Sequence, residues 1–145
     1  MMRLRFPSSL VWLLVLCIST SWSFAAELRA GIYEVEARIL MPNLEEHLRY
    51  AVTHERHCLN ERMLVTVFPV LRHVSLTGCH LINPQRSGPI SRFQLVCQDP
   101  MAASGAAWVE RVAHDRLTGV LDVQMGGKNM TFSQRIQAVW RERCP

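Results

Sequence analysis

An apolar–polar alternation with a period of two constrains this chain more than any other feature. From Gly31 to Met41 the odd positions carry Tyr33, Val35, Ala37, Ile39 and Met41, with Glu34, Glu36 and Arg38 between them. Successive side chains of a strand point to opposite faces, so such a run has one apolar and one wet side. From His47 onward, Leu48, Tyr50 and Val52 alternate with Arg49, Ala51 and Thr53, and Pro42-Asn43 marks the intervening turn. Strands resume over Val74–Ile82 and Ile90–Gln98, with Asn83-Pro84 and Ser87-Gly88-Pro89 as the hairpin loop between them. Ala106–His114 and Leu117–Met125 follow, joined tightly at Asp115-Arg116. Beyond the turn Gly126-Gly127-Lys128-Asn129, the run Met130–Trp140 sets Met130, Phe132, Ile136, Ala138 and Trp140 against Thr131, Ser133, Arg135, Gln137 and Arg141. Asn60–Phe68 breaks the rhythm: Asn60 as N-cap, Glu61 in the first turn and Pro69 as terminator predict one short helix. Seven strands joined mostly by short loops predict a mainly β fold, an antiparallel meander or partly open β-barrel with one short helix.

The first 26 residues follow a different logic. Arg3 and Arg5 form a basic start, Leu10 to Ile18 is an apolar run, and Ser23-Phe24-Ala25 offers small residues where a signal peptidase reads them. This predicts a Sec-type signal peptide over residues 1–25, cleaved after Ala25, and a periplasmic or secreted domain over residues 26–145. The apolar run is short for a membrane span, and Leu16 stands before Cys17 where lipid attachment needs a small residue. The mature chain is therefore expected to carry no stable membrane span. Removing 25 of 145 residues leaves 120; Arg3 and Arg5 leave with them, so the formal charge falls from +4 to +2. The remaining basic residues, Arg apart from Lys128, are spread along the chain, which argues against a nucleic-acid partner.

Cys17 leaves with the signal, so five cysteines become four: Cys58, Cys79, Cys97 and Cys144. Four cysteines in a small exported domain read as two disulfides. The expected pairing is Cys58–Cys79 with Cys97–Cys144, the latter holding a terminus that would otherwise fray. The rival is Cys79–Cys97 across a hairpin. A metal site built from His57-Cys58 and Cys79-His80 is set aside, because neighbours on a strand face opposite ways and no C-x-x-C spacing exists. A C-x-x-C redox centre is excluded on the same ground.

The order of features also carries a resemblance. A signal peptide precedes Gly31-Ile32-Tyr33-Glu34-Val35, followed by Met41-Pro42. A first Cys with a short helix, a second Cys, a third ending a strand and a last at the terminus then fall on Cys58, Cys79, Cys97 and Cys144. Leu117-Thr118-Gly119 lies in a late strand. This layout, over roughly residues 28–144, resembles the domain of unknown function family 3617, small exported bacterial proteins, with Tyr33 where that family usually shows Trp. The resemblance implies an exported β-rich domain with paired cysteines and brings no catalytic residues with it.

Motifs that would carry chemistry are missing. His47, His54, His57, His73, His80 and His114 show no metal-ligand spacing, and no nucleophile elbow, P-loop or dinucleotide fingerprint occurs. Glu34 and Glu36 share a strand face and read as solvated. Met41, Met101, Met125 and Met130 do not form a copper-type cluster by spacing and read mostly as core filler, and Asn129-Met130-Thr131 reads as turn residues. No catalytic residue, metal or cofactor is expected. The sequence points to a non-enzymatic binding module for an apolar ligand or peptide, with Tyr33, Tyr50, Trp108, Phe132 and Trp140 as candidate lining. The alternative is an accessory protein docking on another envelope protein through apolar residues on the wet faces, such as Val120 and Val139.

Overall fold

The computed structural model describes residues 27–41, 50–127 and 130–145. The expected signal peptide, the start of the expected second strand at His47 to Arg49, and turn residues Lys128 and Asn129 lie outside these residues. Seven strands form one antiparallel sheet: β1 (Gly31–Leu40), β2 (Tyr50–Leu59), β3 (Cys79–Ser87), β4 (Ile90–Cys97), β5 (Ala103–Ala113), β6 (Arg116–Met125) and β7 (Met130–Glu142). Their order across the sheet is β2-β1-β7-β6-β5-β4-β3. The sheet is open, with β2 and β3 at its two edges.

The alternation works as the sequence implies. One face buries Tyr33, Val35 and Ala37 of β1, Leu117, Leu121 and Val123 of β6, and Phe132, Ile136 and Ala138 of β7. Phe93, Leu95, Ala107 and Val109 continue that face on β4 and β5. β2 departs from the expectation: Val52 is exposed, and the strand runs on to Leu59, the sole buried residue among its described side chains. As an edge strand it has one neighbour, and its Glu55, Arg56 and His57 keep that edge polar.

Residues 60–78 connect the two edge strands, and so must cross the apolar face. Leu64, Val67, Phe68 and Leu76 of this strap are buried against it. The expected short helix is instead three 3₁₀ turns, Glu61–Thr66, Pro69–Arg72 and Val74–Leu76. Its predicted cap is present: the Asn60 side chain accepts from the Arg62 and Met63 amides at 2.9 and 3.2 Å. Three features explain the shorter turns. Val65, Thr66 and Val67 lower helix propensity, Pro69 blocks continuation, and the wider rise of a 3₁₀ turn suits a strap that must span the sheet. Phe68 lies over β6 because Gly119 has no side chain; a Cβ there would sit 3.1 Å from the Phe68 ring and 2.8 Å from the Trp108 carbonyl.

Two further boundaries shift. Val74–Leu76 is strap rather than strand, and β3 begins at Cys79 after Gly78, whose φ is +79°. The expected hairpin loop at Asn83–Pro89 shrinks to a turn at Gly88-Pro89, because a register shift between Ile82 and Gln85, with Asn83 at φ +53°, absorbs Pro84 into the strand.

The disulfides are Cys58–Cys144 and Cys79–Cys97. The expected Cys58–Cys79 and Cys97–Cys144 pairing is overturned by strand order. Cys58 and Cys79 lie on opposite edges of the sheet, and three inter-strand steps separate β4, which ends at Cys97, from β7. Cys79 and Cys97 are direct cross-strand partners, whereas Cys144 follows β7 and reaches edge strand β2. Two disulfides fit an oxidising, extracytoplasmic compartment.

Candidate functional site

The apolar side of the sheet is filled except for a cleft of about 270 Å³ at the β3 edge, between Val65 and Leu71 of the strap and Leu81. Tyr33 is fully buried, and its hydroxyl donates to the Arg29 carbonyl at 2.6 Å. Burial, then the Asp115 carboxylate nearby, push its pKa up to about 12. Gln134 is buried among the apolar residues of β7, and its side-chain oxygen accepts from the Val70 amide at 3.1 Å, fastening the strap. Among the described residues, the expected lining aromatics do not share a cavity. Tyr33 is core, and Phe132 is nearly so. Trp140 is covered by Arg29, whose guanidinium carbon lies 3.5 Å from the ring centroid, and its indole N–H donates to the Ala30 carbonyl at 3.3 Å. The Tyr50 side chain is outside the described residues. Of the described ones, Trp108 alone points the other way, 36% exposed on the uncovered face, which no described segment covers.

One polar group inside the apolar side escaped sequence reasoning. Arg111 lies on β5 where alternation demands an inward residue, and its side chain is fully buried. It donates to Ser91 Oγ at 3.0 Å, to the Gly88 carbonyl at 3.1 Å and to Glu61 Oε2 at 3.3 Å. Its Nε has no partner. Burial lowers its pKa, opposed by the Glu61 carboxylate. Glu61 also accepts from the Leu28 amide at 3.1 Å, so this ion pair joins strap, sheet and N-terminal segment. The arrangement is a fastening: the cavities found among the described residues lie elsewhere.

The uncovered face carries two clefts of about 420 and 400 Å³. Both include Ala106 and Asp122, so they adjoin. Strand register explains their shape. Gln94, Ala106, Asp122, Ser133 and Leu40 are successive cross-strand partners from β4 to β1. Ala106 is small, and this row is a trough. One flanking row runs Arg92, Trp108, Val120, Arg135 and Arg38; the other holds Ser104, Gln124 and Thr131. Asp122 accepts from the Ser133 hydroxyl at 2.5 Å. Arg92 and Arg135 make no ion pair among the described residues, whereas Arg38 is held by Glu36 at 2.8 Å and Arg141 by Glu34 at 2.8 Å. Val120 and Val139, expected to be exposed for docking, are half-buried on this face.

A second ionic group lies under the strap at the β2 edge, where Glu55 meets both Arg72 and His57, the latter at 2.9 Å. No group of three or more His, Cys, Asp or Glu side chains among the described residues is placed to hold a metal ion. No described helix is long and apolar enough to cross a membrane. Comparison with known protein families, with curated proteins and with solved structures found no match for the chain.

Proposed function

We propose that this chain is an exported, non-enzymatic binding module of the domain of unknown function family 3617, and that its ligand lies on the uncovered sheet face at Trp108. The carrying observation is an asymmetry. The strap covers most of one side of the sheet, while the other leaves a third of an indole open on the wall of the cleft of about 400 Å³, which adjoins the cleft of about 420 Å³. An apolar ligand or peptide therefore has its apolar surface against Trp108 and Ala106 rather than inside the sheet. The cleft walls hold amides, hydroxyls, a carboxylate and a guanidinium, with neither His nor Cys, which suits recognition better than acid–base or nucleophilic chemistry. Residues 1–25 act as the export signal in this reading, and N-terminal sequencing of exported protein should begin at Ala26. The site is tested by a fragment screen on ¹⁵N-labelled protein. Hits should shift the Trp108 indole N–H together with Ala106, Gln94 and Asp122. Hits confined to strap residues, or none on this face, overturn the assignment.

A second reading is an accessory protein docking on another envelope protein. It is favoured by exposed Val112 on β5 together with half-buried Val120 on β6 and Val139 on β7. Crosslinking from position 112 in the envelope would then capture one discrete partner.

A further inference from the structure

Resting on the placement of the binding face at Trp108, and replacing the apolar ligand or peptide there by another class of occupant, we propose that the trough is a subsite for an acidic oligosaccharide, stacked on Trp108 and held through a carboxylate by Arg92. Three observations converge. First, the trough runs across the strands from Gln94 on β4 to Leu40 on β1. Four inter-strand steps make it roughly 19 Å long, room for a short chain of pyranose rings. Its floor is sheet backbone already paired with its neighbours, so a peptide lying across the strands finds no free edge to extend. A saccharide needs none.

Second, the side chains match hydroxyl groups. Gln94, Gln85, Gln124, Ser104, Thr131 and Ser133 donate and accept in turn, and Asp122 is an acceptor for paired hydroxyls. Trp108 supplies the flat apolar surface on which the C–H face of a sugar ring rests. An alkyl ligand would strip water from all these groups and satisfy none of them.

Third, the charge is placed for an acid. Arg92 faces the same cleft as Trp108, and Arg135 lies two strands beyond Trp108 in the same row. Neither is neutralised by a described carboxylate, and a guanidinium fork fits a carboxylate in two-point contact.

The test is titration of the exported protein, followed by ¹⁵N spectra, with three probes: tetragalacturonate, the neutral cellotetraose, and tetraglutamate. Tetragalacturonate should shift the Trp108 indole N–H and the Gln94–Ala106–Asp122 amides. Trp108→Ala should weaken it by about tenfold or more, and the surface change Arg92→Gln by about tenfold, leaving cellotetraose unaffected. Equal binding of the two saccharides, insensitive to Arg92→Gln, overturns the acidic ligand. Tetraglutamate binding as tightly at Trp108 overturns the saccharide. If neither saccharide binds while fragments still settle at Trp108, this inference falls and the binding-face reading stands. Trp108→Phe, which keeps a stacking surface, should retain most of the affinity; loss equal to that of Trp108→Ala, with unchanged spectra elsewhere, also overturns it.

Discussion

Tyr33 places a phenol where water cannot reach it, with carbonyls as its partners. Its hydroxyl donates to the Arg29 carbonyl at 2.6 Å and faces the His114 carbonyl at 3.4 Å, and neither welcomes a phenolate. With a pKa raised from 10.0 to about 12, the stability it confers is complete below pH 10 and lost as pH climbs through 12. That loss amounts to about 3 kcal/mol. Tyr33→Phe should flatten this alkaline decline, read as urea midpoints between pH 9 and 12. Arg111 presents the opposite case, a charge that must stay paired. Arg111→Met leaves the Glu61 carboxylate without its partner and should cost about 3 kcal/mol, while adding Glu61→Gln should recover part of it. A double-mutant cycle of chemical denaturation measures that coupling. The sequence showed Arg111 as one more Arg on a strand; alternation alone assigns it inward, and nothing local reveals that Ser91, Gly88 and Glu61 converge on it.

Among elements, the strap sets the limits of what a sequence reader sees. Its cap at Asn60 and the end of its first turn before Pro69 were legible because both are local chemistry. Its course over the sheet was not, since nothing between Asn60 and Gly78 says that β2 and β3 are at opposite edges. The same gap explains the disulfides: hairpin geometry makes Cys79–Cys97 visible as a candidate, but Cys58–Cys144 follows only from β1 lying between β2 and β7. Phe68→Ala, which removes the ring over Gly119, should cost about 3–5 kcal/mol in an equilibrium unfolding experiment. The two cross-links should differ in weight. Cys58–Cys144 closes a span of 86 residues and Cys79–Cys97 one of 18. Chain entropy makes these worth about 4.5 and about 3 kcal/mol, so Ser at both Cys58 and Cys144 should lower stability more than the corresponding pair on the hairpin. Calorimetry of the two double variants decides the order.

For the whole molecule, the sheet has two unequal faces, and the sequence marked both through alternation. The trough needed more. Asp122, Ser133 and Arg135 are plainly wet-face residues in their own strands, but only lateral register brings them beside Gln94, Arg92 and Trp108. Aromatics counted along the chain therefore suggested one cavity, while the sheet sorts Tyr33 inward and Trp108 outward. The strand order has a consequence in time as well. The meander from β3 to β7 pairs neighbours in sequence, yet β1, near the start of the sheet-forming chain, takes its inner partner from the very end, with Ile32 opposite Glu142. Closing a loop of that length is entropically slow, and contacts so distant in sequence lengthen folding. A chain emerging N-terminus first holds β1 and β2 as an orphan hairpin until β7 arrives. The β2 edge stays without its cross-link until Cys144, the partner of Cys58, is free to react.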